Sequence, residues 1–208
     1  MKRRMKKIAT LLTLALLATS ATAQTESEMR QAIAEAVSRM QTMQCLFTQV
    51  KHMQMLGQEL NAQGRLCYAQ PDKLRWEYTE PYTYVFVING ARVKVGDAER
   101  TDVIDVNQSK VFREIARIML SSVTGGCLTD ERDFTAEVRA QDGEWVAELT
   151  PKNRQLRQLF VRLTLHFSPA DALVTTVCLT EKNGDQTVIR LHHVQVNQPA
   201  DASLFAVD

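Results

Sequence analysis

From Cys45 to the C-terminus, apart from one interruption, the apolar residues of this chain return at every second position, as where Leu74, Trp76 and Tyr78 alternate with Lys73, Arg75 and Glu77. A period of two puts one set of side chains on one face of an extended segment and the charged set on the other. Most of the chain is thereby confined to strands with a single buried face. The alternation predicts strands at 46–56, 58–69, 73–79, 83–88, 91–97 and 100–106, then at 132–140, 144–150, 157–168, 172–182 and 185–197, about eleven in all. Asn89-Gly90, Asp142-Gly143, Ser168-Pro169 and Asn183-Gly184 supply turn signals between them.

Two segments have the helical period instead. Thr25-Glu26-Ser27-Glu28 places a hydroxyl three residues before a carboxylate, the reciprocal cap of a helix start. Met29, Ile33, Ala36, Val37, Met40 and Met43 then form one stripe, which predicts a helix over 26–44. Between the two runs of strands, Ser109 is placed to cap a second helix. Val111, Phe112, Ile115, Ile118, Met119 and Leu120 give it a broad apolar face that stops at Gly125-Gly126. Both faces have to be covered, and the concave side of a curved sheet is the surface on offer. The fold class expected is α+β, a single highly curved antiparallel sheet lidded by helices. No linker or repeat divides residues 24–208.

The start of the chain sets the compartment. Lys2, Arg3, Arg4, Lys6 and Lys7 precede an apolar run from Ile8 to Ala18 and the small residues Ala21-Thr22-Ala23, the order of a cleavable secretory signal over 1–23. The run is shorter than the roughly 20 residues that span a bilayer. The leader holds five of the 25 cations and none of the 24 anions, so without it the chain is acidic by about four charges. Nucleic acid and anionic surfaces draw on clustered Lys and Arg, and the net balance gives no reason to expect either as a partner. Cys45, Cys67, Cys127 and Cys178 follow the leader. An oxidising compartment permits disulfides among them, and buried thiols are the alternative.

Nothing in the pattern signals an enzyme, a cofactor or a metal. The sequence holds no Gly-x-Ser-x-Gly, phosphate-cradling glycine loop, Cys-x-x-Cys or His-Glu-x-x-His. His192 and His193 are neighbours on an expected strand and should face opposite sides of the sheet. Carboxylates such as Glu137, Glu144 and Glu148 read as the solvent face of antiparallel strands. The supply of Met and aromatic residues serves either an ordinary core or an adaptable cavity lining.

Several short pieces occur in a telling order: Phe47-Thr48-Gln49, Gly64-Arg65-Leu66, Pro71 to Pro81 with Trp76 between, and Asn89-Gly90. Leu149-Thr150-Pro151-Lys152, Leu156-Arg157-Gln158 and the Ala202-Ser203-Leu204-Phe205 ending follow. In that series the chain resembles the LolA family of outer-membrane lipoprotein carrier proteins over nearly its whole length after the leader. The resemblance implies an incomplete β-barrel of eleven strands whose hydrophobic cavity holds lipoprotein acyl chains in the periplasm. It also implies a monomer loaded by an inner-membrane ABC transporter and unloaded to an outer-membrane receptor or to the membrane itself.

Matched to that pattern, Phe47, Leu74, Trp76, Phe86, Leu159, Val161, Leu163 and Leu165 would line the cavity. Ile33, Val37 and Met40 of the first helix, with Ile115, Ile118 and Met119 of the second, would form the lid. Each of these residues serves equally well as plain core. Where relatives carry a lid-latching arginine before the strand-three proline, this chain has Gln70, which leaves Arg65 or Arg75 as substitutes. A module of the same fold that carries another lipid or senses envelope ligands is the alternative function.

Overall fold

The structure, a computed structural model, describes residues 24–108, 110–129, 132–152 and 154–207. The expected leader and the Ser109 cap lie outside the described residues, as do the side chains of Val111 and Phe112. The first half comprises helix α1 (Glu26–Arg39) and strands β1 (Thr42–Met53), β2 (Gln58–Ala69), β3 (Lys73–Glu80), β4 (Tyr84–Asn89), β5 (Arg92–Gly96) and β6 (Thr101–Asp105). Helix α2 (Lys110–Thr124) follows, then β7 (Phe134–Gln141), β8 (Glu144–Pro151), the single turn α3 (Leu156–Leu159), β9 (Arg162–Phe167), β10 (Val174–Thr180) and β11 (Gln186–Val196).

All eleven strands join one antiparallel sheet in the order β6-β5-β4-β3-β2-β1-β11-β10-β9-β8-β7. The expected α+β class and curved single sheet are what the structure contains. Irregularities at Gln44/Leu46, Gln63/Gly64 and Val174/Thr176 each shift the ladder, and such bulges bend a strand and raise its twist. The two edge strands, β6 and β7, are consecutive in the chain. Helix α2 lies between these two edge strands in the chain, and its Ala116 and Val123 enter the core on the concave side.

Alternation decides which residues fill that side. Phe47 faces Gly64 across β1 and β2, and Trp76 faces Leu66 and Phe86 across β2, β3 and β4. On the far half, Trp145, Ala147 and Leu149 of β8 stand opposite Phe167, Leu165 and Leu163 of β9. All these residues enter one apolar core, to which α1 contributes Met29 and Ile33. The convex side has its own smaller cluster. Cys67 and Val87 are buried there under Phe205 and Val207 of the C-terminal turn, and Asn89 Nδ2 donates to the Phe205 carbonyl at 3.0 Å.

Two elements differ from the sequence reading. The helix expected to reach residue 44 stops at Arg39, and β1 starts at Thr42. Met40 and Met43 fit the helical stripe, yet Met43, Cys45 and Phe47 alternate into the sheet. Asn197 seals the break from far along the chain, donating to the Arg39 carbonyl at 3.1 Å and accepting from the Gln41 N–H at 2.7 Å. The strand expected over 157–168 starts only at Arg162. Leu156 and Phe160 are buried four residues apart, and the Phe160 N–H donates to the Leu156 carbonyl at 3.0 Å, so this stretch closes a helical turn instead.

Candidate functional site

The concave face is organised around an aromatic ladder. The Phe47 ring lies 4.6 Å from Trp76 and 5.4 Å, edge on, from Tyr78, while Tyr78 lies 5.6 Å from Tyr82 at the end of β3. The ladder fits because residue 64 is glycine. A Cβ there would stand 1.9 Å from the Glu77 carbonyl oxygen and 2.8 Å from Phe47 Cζ. Phe47 thus covers a gap that only glycine leaves, a pairing that also explains their shared place in the sequence pattern.

Gln49 has a role on the same face: its Oε1 accepts from the Tyr78 hydroxyl at 3.0 Å, and burial pushes that phenol above its ordinary pKa. Trp76 is different. It is 4 % exposed, and among the described residues its Nε1 makes no well-formed hydrogen bond, only a contact with the Tyr78 phenol that works against the effect of burial there. A buried donor so poorly satisfied costs up to about 1–3 kcal/mol. By contrast, buried Trp145 donates its Nε1–H to Gln24 Oε1 at 3.1 Å.

Of the residues singled out as cavity lining, Phe47, Leu74, Trp76, Leu163 and Leu165 are buried together on the concave side, and Phe86 packs half-buried against them. Leu159 and Val161 do not join them. They are 39 % and 41 % exposed, because the turn at 156–160 points Leu156 and Phe160 inward in their place. Among the lid residues, Ile33 and Met40 are buried, Val37, Ile118 and Met119 pack against the core, and Ile115 is half-buried. Met40 lies just beyond α1 in extended conformation. Sequence reasoning passed over Trp145, Ala147, Leu149 and Phe167, whose alternation was visible in strands 144–150 and 157–168.

The lid is fastened by groups that the sequence did not single out. On α1, Arg30 Nη2 donates to the Ala136 carbonyl of edge strand β7 at 2.5 Å, and Glu26 Oε1 accepts from the Val138 N–H at 3.3 Å. On α2, Arg117 binds Glu114 at 2.6 Å and also Asp133, while Arg113 donates to the carbonyls of Val106 and Asn107. Arg75 instead pairs with Glu77 and reaches the Leu204 carbonyl on the convex side, and Arg65 is exposed. The bonds that hold α1 and α2 thus come from Arg30 and Arg117 on the helices themselves.

Glu26 is held below the ordinary carboxylate range chiefly by Arg30, and Glu28 by its capping bond to the Thr25 N–H. Groups with lowered folded-state pKa stabilise above their unfolded value and lose that contribution as pH falls. Amide protection factors in α1, referred to the intrinsic exchange rate at each pH, are therefore expected to fall on acidification below the ordinary glutamate range, ahead of those in central strands β1 and β11. An equal fall in both would sever the link to these caps.

The four cysteines are unpaired thiols, and burial pushes Cys45 and Cys127 up to about 12. Neither should react with a thiolate-seeking alkylating reagent at neutral pH while the protein is closed. Cys127 sits in the turn following α2, so its labelling rate reports lid movement. Rapid labelling of Cys127 in the resting protein would contradict the closed arrangement.

One sequence expectation fails on the convex side. His193 has φ +53°, and the bulge opposite Cys45 puts His192 and His193 on the same face, where both line a cavity of about 450 Å³ with Leu46. His192 lies 2.9 Å from Thr48 Oγ1.

The model of the family described as "Outer membrane lipoprotein carrier protein LolA" matches residues 38–208. The chain belongs to the LolA family. Relatives named outer-membrane lipoprotein carrier protein include that of Chromohalobacter salexigens, 29 % identical over 154 residues, covering 73 % of this chain and 70 % of that one. The Legionella pneumophila relative is 25 % identical over 183 residues, covering 88 % and 85 %. Among solved structures, an uncharacterised conserved protein of Thermus thermophilus shares the fold, with a TM-score of 0.53 at 12 % identity, covering 89 % of this chain and 95 % of that one. This LolA-family chain builds one curved sheet with a helical cover and an aromatic ladder from Phe47 to Tyr82.

Proposed function

We propose that this LolA-family protein is a periplasmic carrier of lipoproteins, which shelters their acyl chains between the concave face of the sheet and its two-helix cover. The observation that carries this reading is the apolar concave face covered by α1 and α2, neither of which contributes a strand to the sheet. Such a cover can lift without breaking the β ladder, and the side chains that now fill the space can part around a lipid. Each acyl methylene left in water costs about 0.8 kcal/mol, so a lipid-bearing protein needs such an escort across an aqueous gap.

Phe47, Leu74, Trp76, Phe86, Leu163 and Leu165 contact the acyl chains in this reading. Ile33, Val37, Ile118 and Met119 move with the lid. The Trp76 N–H, held only by a poor contact with the Tyr78 phenol, supplies a donor to an ester or amide carbonyl at the head of the lipid. The leader 1–23 directs export, an inner-membrane ATP-driven transporter loads the carrier, and an outer-membrane receptor or the membrane unloads it. No helix among the described residues is long and apolar enough to cross a membrane.

The test incubates the exported protein with vesicles that hold a labelled lipoprotein and its transporter. ATP-dependent appearance of label in a soluble one-to-one complex is the expected result. Retention of all label on the vesicles, with transporter and carrier both intact, would refute the carrier reading.

A further inference from the structure

Most of the large apolar side chains that the fold leaves exposed collect at one end of the sheet, Leu46 and Val103 standing apart in mid-strand. Hairpin β1–β2 stays paired out to Met53 and Gln58, whereas β3 ends at Glu80 opposite Gln63. On that flank the hairpin projects five residues of β2 past β3, roughly 17 Å at strand rise, while on the other flank β11 keeps level with it to Gln186 opposite His52. At its apex Met55 and Leu56 are 85 % and 65 % exposed, with Leu60 exposed just behind them.

The same end carries the β3–β4 turn, where Tyr82 and Tyr84 are exposed. It also carries Leu159 and Val161. The Val161 N–H donates to the Thr180 carbonyl, Thr180 pairs with Gln186, and Gln186 pairs with His52, so these four residues stand in one row across the sheet. That row ends one residue short of Met53.

Charge is not spread evenly over this end either. Val161 lines a shallow pocket of about 380 Å³ together with Arg154, Arg157 and Lys182, and no carboxylate lines it. Nearby acids are already engaged: Glu181 binds Lys51 at 2.7 Å, Glu59 lies 2.9 Å from His52, and Asp185 accepts from the Gln54 N–H. Glu80, Asp97 and Glu99 are exposed acids on the far flank, on the strands away from the basic pocket.

We propose that this end of the sheet is a membrane-docking face, with Met55 and Leu56 entering the bilayer interface and Arg154, Arg157 and Lys182 meeting anionic phospholipid headgroups. Two exposed residues on a projecting hairpin apex form no flat surface for a protein partner, but they suit shallow insertion. Tyrosines at the rim suit the headgroup level. Apolar insertion and a basic cluster together give the two weak signals that make peripheral binding effective. The net acidity of the whole chain does not oppose this, since screening limits each charge to about 8–10 Å. In the carrier reading, the aromatic ladder emerges at this end through Tyr82, so docking would align the cargo's path with the bilayer. Docking itself stands apart from that reading, because it needs no cargo.

The experiment floats the chain beginning at Gln24, which contains every described residue, with bare vesicles of phosphatidylcholine alone or mixed with phosphatidylglycerol. Flotation with the anionic vesicles only, weakened by salt, is expected. M55S/L56S should lower the partition coefficient roughly tenfold or more. R154Q/R157Q/K182Q should lower it about fivefold per cation removed. Both variants alter exposed side chains, and unchanged thermal melts establish that they fold. Absence of wild-type flotation on either vesicle, equal binding to both, or binding that neither variant changes would overturn the proposal. Lipoprotein release measured separately keeps that failure distinct from failure of the carrier function.

Discussion

Trp76→Glu is expected to unfold the protein at neutral pH. Trp76 is 4 % exposed, pairs across strands with Leu66 and Phe86, and lies 4.6 Å from the Phe47 ring. The substitution removes aromatic packing worth about 3–5 kcal/mol. It also buries a carboxylate with no cation beside it, which costs several kcal/mol more. Against a typical stability of about 5–15 kcal/mol, little remains. The sign with pH is definite. Burial raises the folded-state pKa of the new carboxyl, so its cost is full above that pKa and shrinks as pH falls through it. Denaturant melts of the variant should show it recovering stability relative to wild type between pH 8 and pH 5. A variant as stable as wild type at pH 8 would mean that the concave face is already open to water.

Trp76→Phe separates the ligand role from the packing role. Phenylalanine keeps an aromatic ring and removes the poorly satisfied N–H, so stability should change by less than about 1.5 kcal/mol. If that N–H bonds a cargo carbonyl, affinity for the lipoprotein falls roughly five- to tenfold while the fold is kept. Unchanged affinity would remove the donor role from Trp76 and leave it a packing residue.

Gly64→Ala is the second large effect. The added methyl would meet the Glu77 carbonyl oxygen at 1.9 Å, and that atom belongs to the backbone of a strand hydrogen-bonded on both sides. Relief requires β2 and β3 to separate and the Phe47 ring to shift as well. A loss of roughly 3 kcal/mol is expected, which lowers Tm by about 6–12 °C in a domain of this size. Phe47→Ala in the same background should cost less than it does alone, since the ring and the glycine occupy one space. Additive losses would show that Phe47 and Gly64 are not coupled.

How far the sequence could be read varied with how local the cause was. The boundaries of β2, given by Gln58 and Ala69, were legible because alternation and turn residues lie within the segment itself. The end of α1 was not. Met40 and Met43 satisfy the helical period, and the agent that stops the helix, Asn197, belongs to the last part of the chain. Leu159 and Val161 were misplaced for a related reason: an alternating reading of 157–161 is possible, but burial of both Leu156 and Phe160 selects one helical turn. His192 and His193 share a face only because the strand bulges opposite Cys45. The aromatic lining was legible in Phe47, Trp76 and the glycine opposite. The lid's fastenings, Arg30 and Arg117, are ordinary surface cations until the fold sets Ala136 and Asp133 beside them.

The middle of the sheet is where the first and last strands meet, Met43 against Val196 through to His52 against Gln186. Each half of the chain is a meander of nearest neighbours, so either half can begin to organise as soon as it exists. The seam between them waits for residue 196. In the carrier reading the chain is exported from its N-terminus, so β1 keeps one flank open until β11 has arrived. Arrival of β11 and closure of the sheet are thereby one event, and loss of that strand would leave two separate sheets in place of one.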